Sequence, residues 1–252
     1  MMRKLLCWLF GGLGLVLAAS AMAAPLRIIT IDGPPWGFKG SDEKPTGMMY
    51  EIGNRLAEEA GLQYTNELVP YARTAFDIEA GRADVILRFG NKHLERVAQP
   101  VATIVRMPVI VIGRGGTRIR SLEELSDKTV GVVRSSAYVD AFDANTAIRK
   151  YEVNDYKVMA KMIAHGRLDA GVGSSAGLYY GALMAGVQPE QLGTPLVLGT
   201  NDFVLFYSNK TASPATIAAL KRAADKLAAN GEINRIVRKY TAQYSEKKAD
   251  SR

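Results

Sequence analysis

The sequence predicts an α/β protein of two lobes, each a mostly parallel sheet flanked by helices, with two hinge strands between them. An internal repeat is the first observation behind this. Ala80-Gly81-Arg82-Ala83-Asp84-Val85-Ile86-Leu87 returns 85 positions later as His165-Gly166-Arg167-Leu168-Asp169-Ala170-Gly171-Val172. Each copy follows an amphipathic run and precedes an apolar one. Glycine suits the position just past a helix, where the backbone turns left-handed, and the apolar run reads as a buried parallel strand. The second observation is the alternation of strand and helix patterns through both halves, as in a wound sheet. Two such lobes imply a cleft, and a cleft implies a ligand.

Taken in order, Leu26 to Ile31 reads as a strand stopped by Asp32-Gly33-Pro34-Pro35. Gly47 to Ala60 carries Met48, Ile52, Leu56 and Ala60 at helical spacing, closed by Gly61. Gln63 to Val69 alternates as a strand, Ala72 to Ala80 is helical, and Asp84 to Leu87 is the first repeat strand. Met107 to Ile112 leads through Gly113-Arg114-Gly115-Gly116 out of the first lobe. In the second lobe Ser121 to Leu125 is a short helix with a capping box of Ser121 and Glu124. Thr129 to Val133 is a strand, Ala137 to Ala147 and Val153 to Ala164 are helices, Asp169 to Val172 is the second repeat strand, and Ser175 to Ala185 is a helix. Phe203 to Tyr207 returns to the first lobe, and helices Ala215 to Ala228 and Glu232 to Tyr240 follow Ser213-Pro214. The expected organisation is therefore a first lobe of residues 24–112 with 202–245, a second of 113–201, a hinge through Met107–Ile112 and Asn201–Tyr207, and a disordered charged tail over 246–252.

The first 23 residues read as a secretory signal peptide. Arg3 and Lys4 precede an apolar stretch from Leu5 to Ala18, and Ala21-Met22-Ala23 is a small-x-small cleavage signal. A membrane anchor would need about 20 apolar residues. Cys7, the only cysteine, falls inside this leader, so the mature chain forms no disulfide and carries no lipid-anchoring cysteine at its start. The expectation is a periplasmic protein. The formal charge of +7 becomes +5 once Arg3 and Lys4 leave, with no dense basic block except Lys247-Lys248 in the tail, so nucleic-acid binding is not expected.

The signal peptide, Pro34-Pro35-Trp36-Gly37-Phe38, Thr46-Gly47 before a helix, Gly81-Arg82-Ala83-Asp84, Glu95-Arg96 and Gly166-Arg167-Leu168-Asp169, in this order, together resemble the family 3 periplasmic solute-binding proteins. The resemblance covers nearly the whole mature chain. It implies the type II periplasmic binding protein-like fold, closing over a small solute as a monomer and delivering it to the membrane permease of an ABC-type importer, most often with a polar amino acid as cargo. It also marks two departures. The family carboxylate that meets the ligand's ammonium falls at Ser174, and the threonine three residues before the motif arginine is His93. The resemblance thus supports solute binding better than it supports an amino acid as the solute.

By the same resemblance Arg96 matches the arginine that clamps a carboxylate, a task its planar fork suits. From the residues themselves, Arg73 at a helix start and Arg88 at the carboxyl end of the first repeat strand lie where ligand-facing loops of α/β folds lie. Trp36 and Phe38 follow a rigid double proline that presents an aromatic face at low entropic cost. Ser135-Ser136 and Ser174-Ser175 each follow a strand and open a helix, a place where free N–H groups and hydroxyls cradle an anion, although simple capping also explains them. Asp84 and Asp169 read as structural residues. The expected solute is small and anionic or zwitterionic.

An enzyme is the alternative, because periplasmic dehydratases of cyclohexadienyl acids share this fold; a solute-presenting partner of a membrane sensor is another. Catalysis would need a tuned acid at the leaving group, and the second-lobe rim offers Ser174 and Ser175 there. His93 and His165 are the only histidines, and with no cysteine beyond the leader they give no metal-ligand spacing, so no cofactor or metal is expected.

Overall fold

A computed structural model describes residues 24–250, with side chains through Thr241; the leader lies outside the described residues. In chain order the elements are β1 (Leu26–Ile31), β2 (Phe38–Lys39), β3 (Pro45–Thr46), α1 (Met48–Glu59), β4 (Tyr64–Val69), α2 (Tyr71–Glu79), β5 (Val85–Phe89), α3 (Leu94–Val97) and β6 (Ala98–Gly113). There follow β7 (Thr129–Val133), α4 (Asp140–Asp143), β8 (Arg149–Val153), α5 (Tyr156–Ala164), β9 (Ala170–Ser174), α6 (Ser175–Ala185), β10 (Leu196–Ser208), α7 (Pro214–Ala229) and α8 (Glu232–Asp250).

Eight strands form one sheet in the order β4-β1-β5-β10-β6-β9-β7-β8. In the first half β1 pairs in parallel with β4 and β5; in the second β7 pairs in parallel with β8 and β9. The repeat therefore precedes the same strand, β5 or β9, of two similarly wound units. The long strands β6 and β10 run antiparallel to each other and join the units. Val109 to Gly113 of β6 also pairs with β9, and Phe203 to Tyr207 of β10 also pairs with β5. Only Arg106–Pro108 opposite Thr200–Asp202 has no further strand beside it. This stretch with no flanking strand is shorter than the expected hinge. Across it Arg106 donates twice to the Asp202 carboxylate, at 2.7 and 3.1 Å.

The repeat does the same work in both units. Gly81 and Gly166, each at φ 68°, end α2 and α5. Gly81 N–H donates to Ile78 and Arg82 N–H to Asp77; Gly166 N–H donates to Ile163 and Arg167 N–H to Met162. This is the left-handed helix stop that glycine makes without a Cβ penalty. Three residues after the first glycine, Asp84 N–H donates to the Arg27 carbonyl while its carboxylate accepts from Arg27 N–H at 2.8 Å. Asp169 N–H donates to Thr129 O and its carboxylate accepts from Thr129 N–H, also at 2.8 Å. Each aspartate staples its strand to the start of the central strand, which makes both structural.

The core departs from two separate lobe interiors. On one face of the sheet, α2 and α3 cover a cluster of Ile29, Ile78, Ile86 and Leu94, and α4 covers another of Val109, Val111, Val130 and Phe142. On the other face one cluster runs through both halves, under α1, α7 and α8 and on to α5 and α6. Tyr240 of α8 joins them: its hydroxyl donates to Glu51 of α1, and its ring lies 6.1 Å from Tyr180 of α6.

Several elements differ from the sequence reading. The helix expected over Ala137–Ala147 is the single turn α4, because Val139 is extended and the Asp143 carboxylate accepts from Tyr138 N–H at 2.8 Å. The start expected for the next helix belongs to the edge strand β8. Ser121 and Glu124 form no capping box; Glu124 instead accepts from Arg120 N–H at 3.1 Å, and the turn over Glu123–Leu125 is 3-10. Finally, α8 continues to Asp250 through most of the segment expected to be a disordered tail.

Candidate functional site

Five of the six strands in parallel pairings, all but β9, end at one place. Ile31 ends β1 and Asp32 and Gly33 follow it, Tyr71 follows β4, Phe89 ends β5, Val133 ends β7 with Ser136, Ala137 and Tyr138 after it, and Asn154 to Tyr156 follow β8. These residues, with Trp36 and Phe203 of β10, line a cavity of about 60 Å³ between the halves. It shares Phe89, Val133, Ser136, Ala137 and Tyr138 of its lining with an open cleft of about 1270 Å³. Crevices at the carboxyl ends of parallel strands are where α/β sheets bind ligands, because loops and helix N-termini converge there.

Trp36 is held from behind. The N–H groups that open α1 have no side-chain cap; Met48 N–H donates to Pro35 O at 2.7 Å, and those of Met49 and Tyr50 to Trp36 O at 2.9 and 3.1 Å. The helix start thus clamps the turn that carries the indole, satisfying donors that would otherwise be orphaned. The ring packs on Phe203 at 4.5 Å and edge-on to Phe89 at 6.4 Å, which makes an apolar floor over the hinge strand.

Arg88 lies behind the wall. It is only 1% exposed; its guanidinium donates to the Phe89 carbonyl, the Thr74 hydroxyl and the Tyr71 hydroxyl, and it stacks 4.1 Å from the Tyr71 ring centre. No ion pair joins it to a carboxylate among the described residues. Burial pulls its pKa down, offset in part by Tyr71, yet arginine's intrinsic basicity keeps it charged. Opposite, Tyr156 slots against Gly173, Gly177 and Gly181, where an added Cβ would come within 2.3 to 2.6 Å of it. Burial first, against hydrogen bonds from Ser174, pushes the Tyr156 pKa up to about 12, and burial raises that of Tyr138 as well. Both are neutral hydroxyls at physiological pH. Asp32 and Asp155 bring carboxylates to the lining; Asp155 also caps α5, accepting from Val158 N–H at 2.7 Å.

Of the residues expected from sequence, Trp36 and Ser136 line the inner cavity and Ser135, at φ 62°, lines the outer cleft. Ser174 is fully buried, and its hydroxyl accepts from Gly177 N–H at 3.2 Å as the α6 cap while supporting Tyr156. The others lie apart from the lining. Arg73 is exposed and tied to Asp77 at 2.9 Å. Arg96 sits exposed on the one-turn helix α3. Phe38 faces Tyr180 and Tyr240, and Ser175 lines a separate pocket beside α8. Sequence reasoning missed Asp32, Tyr71, Phe89, Tyr138, Asn154, Asp155, Tyr156 and Phe203. The rule that strand ends make the site points to most of them, and the four-residue spacing of Gly173, Gly177 and Gly181 signals a bulky neighbour.

Residues 26–243 match the family of bacterial extracellular solute-binding proteins, family 3. The chain belongs to this family. It is 22% identical over 214 residues to a probable amino-acid-binding protein, YxeM, of Bacillus subtilis (strain 168), covering 82% of this chain and 79% of that protein. It is also 24% identical over 227 residues to membrane-bound lytic murein transglycosylase F of Erwinia tasmaniensis, covering 85% of this chain but only 45% of the longer protein. In fold it is similar to an ancestral arginine-binding protein solved with arginine, with a TM-score of 0.73, 16% identity, and coverage of 87% of this chain and 99% of the other. Solute binding is the role the family assigns. No helix among the described residues is long and apolar enough to cross a membrane.

Proposed function

We propose that the chain is a periplasmic receptor that binds a small zwitterionic solute of amino-acid type between its halves and presents it, as a monomer, to an ABC-type importer. The observation that carries this reading is the cavity itself, walled by the ends of β1, β4 and β5 on one side and β7 and β8 on the other, with hinge strand β10 as its floor. A solute that touches both walls favours the arrangement in which they approach, and shifts the balance by as much as it prefers that form. The lining offers an ammonium the Asp32 carboxylate and offers a carboxylate the hydroxyls of Tyr71, Ser136, Tyr138 and Tyr156. Asp32 thus supplies the acidic partner that is missing at Ser174. Trp36, Phe89 and Phe203 take the apolar part of the solute.

A thermal-shift screen of the twenty L-amino acids, followed by calorimetry, tests this reading. At 100 times its dissociation constant a solute adds about 2.7 kcal/mol of stability. At least one amino acid should do so and be recovered unchanged. Stabilisation by none of them, or conversion of a cyclohexadienyl acid such as prephenate, would contradict it.

A further inference from the structure

The candidate clamp Arg96 lies outside the cavity lining, while a different arginine is buried immediately behind it. A buried cation costs free energy unless something negative or strongly dipolar offsets it, and Arg88 meets only the neutral oxygens of Phe89, Thr74 and Tyr71. This arrangement has a directional consequence. Because the Tyr71 oxygen accepts from the Arg88 guanidinium, the phenolic hydrogen must point elsewhere. Tyr71 lines the cavity, and among the described residues none accepts that hydrogen. Tyr71 shares that lining with Tyr138 and Tyr156.

We infer that Arg88 sets the charge preference of the site without touching the solute: it fixes the Tyr71 O–H as a donor into the cavity and supplies the positive field behind it, so that the wall selects a carboxylate over a neutral group. Arg88 is a positioning residue and Tyr71 is its contact. This rests on the solute-binding reading above and adds the origin of its anion selectivity. Donation from an ionised group to the phenol polarises its O–H, and hydrogen bonds reinforce one another along such a chain in a low-dielectric interior. An anion completing the chain also provides the buried guanidinium with the negative charge that its own surroundings lack.

The test uses the full chain and the variants Tyr71→Phe, Arg88→Met and Arg88→Lys. The probes are the L-amino acid that binds the wild type most tightly and the α-carboxamide of that same amino acid. Tyr71→Phe keeps the ring under the guanidinium and removes only the hydroxyl. It and Arg88→Met should each weaken the acid about 10-fold or more and the amide, whose carbonyl also accepts from Tyr71 but carries no charge, by a clearly smaller factor, so that the acid-to-amide preference falls by about threefold or more; Arg88→Lys should restore part of the preference. A merely structural loss would weaken acid and amide alike, so an unchanged acid-to-amide ratio in Tyr71→Phe and Arg88→Met overturns the relay and leaves the solute-binding reading intact. If Arg88→Met does not fold, Tyr71→Phe decides. If no amino acid binds the wild type, the amino-acid reading falls and the relay is decided by quenching of Trp36 emission in a Trp8→Phe background. Quenching by iodide in excess of caesium, lost in Tyr71→Phe and Arg88→Met, supports the relay; equal iodide constants in wild type and variants overturn it.

Discussion

Gly47→Ala is expected to destabilise the protein by about 2–5 kcal/mol, the sum of backbone strain and overpacking. Gly47 has φ 128° and ψ 161°, a region closed to residues with a Cβ. The added carbon would lie 2.6 Å from Trp36 O and 2.7 Å from Gly37 Cα, both backbone atoms that no rotamer change can move aside. Its N–H donates to the Tyr240 hydroxyl at 3.1 Å, so the junction of β3, α1 and α8 moves with it. For a protein of this size each kcal/mol shifts the melting temperature by about 2–4 °C, and a fall of roughly 4–20 °C by circular dichroism is the expected result. Gly61→Ala is the control: φ is also positive, at 69°, but no atom lies within 4 Å of the new carbon, so only strain of about 1–2 kcal/mol is expected. Equal losses in the two variants would show that the Trp36 turn is not held by close packing at Gly47.

Asp84→Ala should cost about 2–3 kcal/mol, the scale of hydrogen bonds to a charged group, whereas Asp169→Ala should cost about 1 kcal/mol. The repeat places both aspartates alike, but only Asp84 adds a two-pronged ion pair, with Arg27 Nε at 3.0 Å and Nη2 at 2.6 Å. The Arg27 side chain is 43% exposed, which holds the figure at the lower end of what two charged bonds could give. Burial pushes the Asp84 pKa up, but the side-chain and backbone hydrogen bonds from Arg27 outweigh it and hold the carboxyl below its ordinary value. As pH falls the unfolded chain takes up this proton first. The contribution is therefore complete above the unfolded pKa of about 4 and is lost as pH drops through the lower folded value. Wild type should lose stability over that window more steeply than Asp84→Ala in urea melts at pH 7 and pH 3. Parallel losses in the two proteins would remove Asp84 from the acid sensitivity.

Much of the fold was legible because its signals are local. The repeat, the Ser213-Pro214 helix start and the apolar runs of β1, β7 and α6 are each decided within a few residues, and their bounds agree with the structure to within a residue or two. What escaped depends on distant partners. β8 reads Arg149-Lys150-Tyr151-Glu152-Val153, with four of five residues exposed; the charges that blunt a sheet edge also erase the alternating pattern. The run Met107 to Ile112 proves to be the end of the 16-residue β6, whose Pro100 and Pro108 lie where the strand is paired on one side only, an edge setting that tolerates proline.

The site was legible as a location and less so as a set of residues. Strand ends pointed to the crevice that lies between the halves, and Trp36, Ser135 and Ser136 line it or its outer cleft. Arginines were favoured because their chemistry is conspicuous, but Arg73 is taken by Asp77 from its own helix, an i,i+4 pairing the sequence contains. The tyrosines are less conspicuous. Tyr156 enters the wall only because β8 ends three residues earlier and three glycines make room for it, both facts of tertiary packing.

The central claim is that solute sits between the halves against Trp36. Among the described residues Trp36 is the only tryptophan, so in a full chain carrying Trp8→Phe its emission reports this site alone. Titration with an amino acid whose binding is established by calorimetry should change the Trp36 emission along the same saturation curve and with the same dissociation constant. Binding seen by calorimetry with an emission spectrum that does not move would place the solute elsewhere and contradict the account.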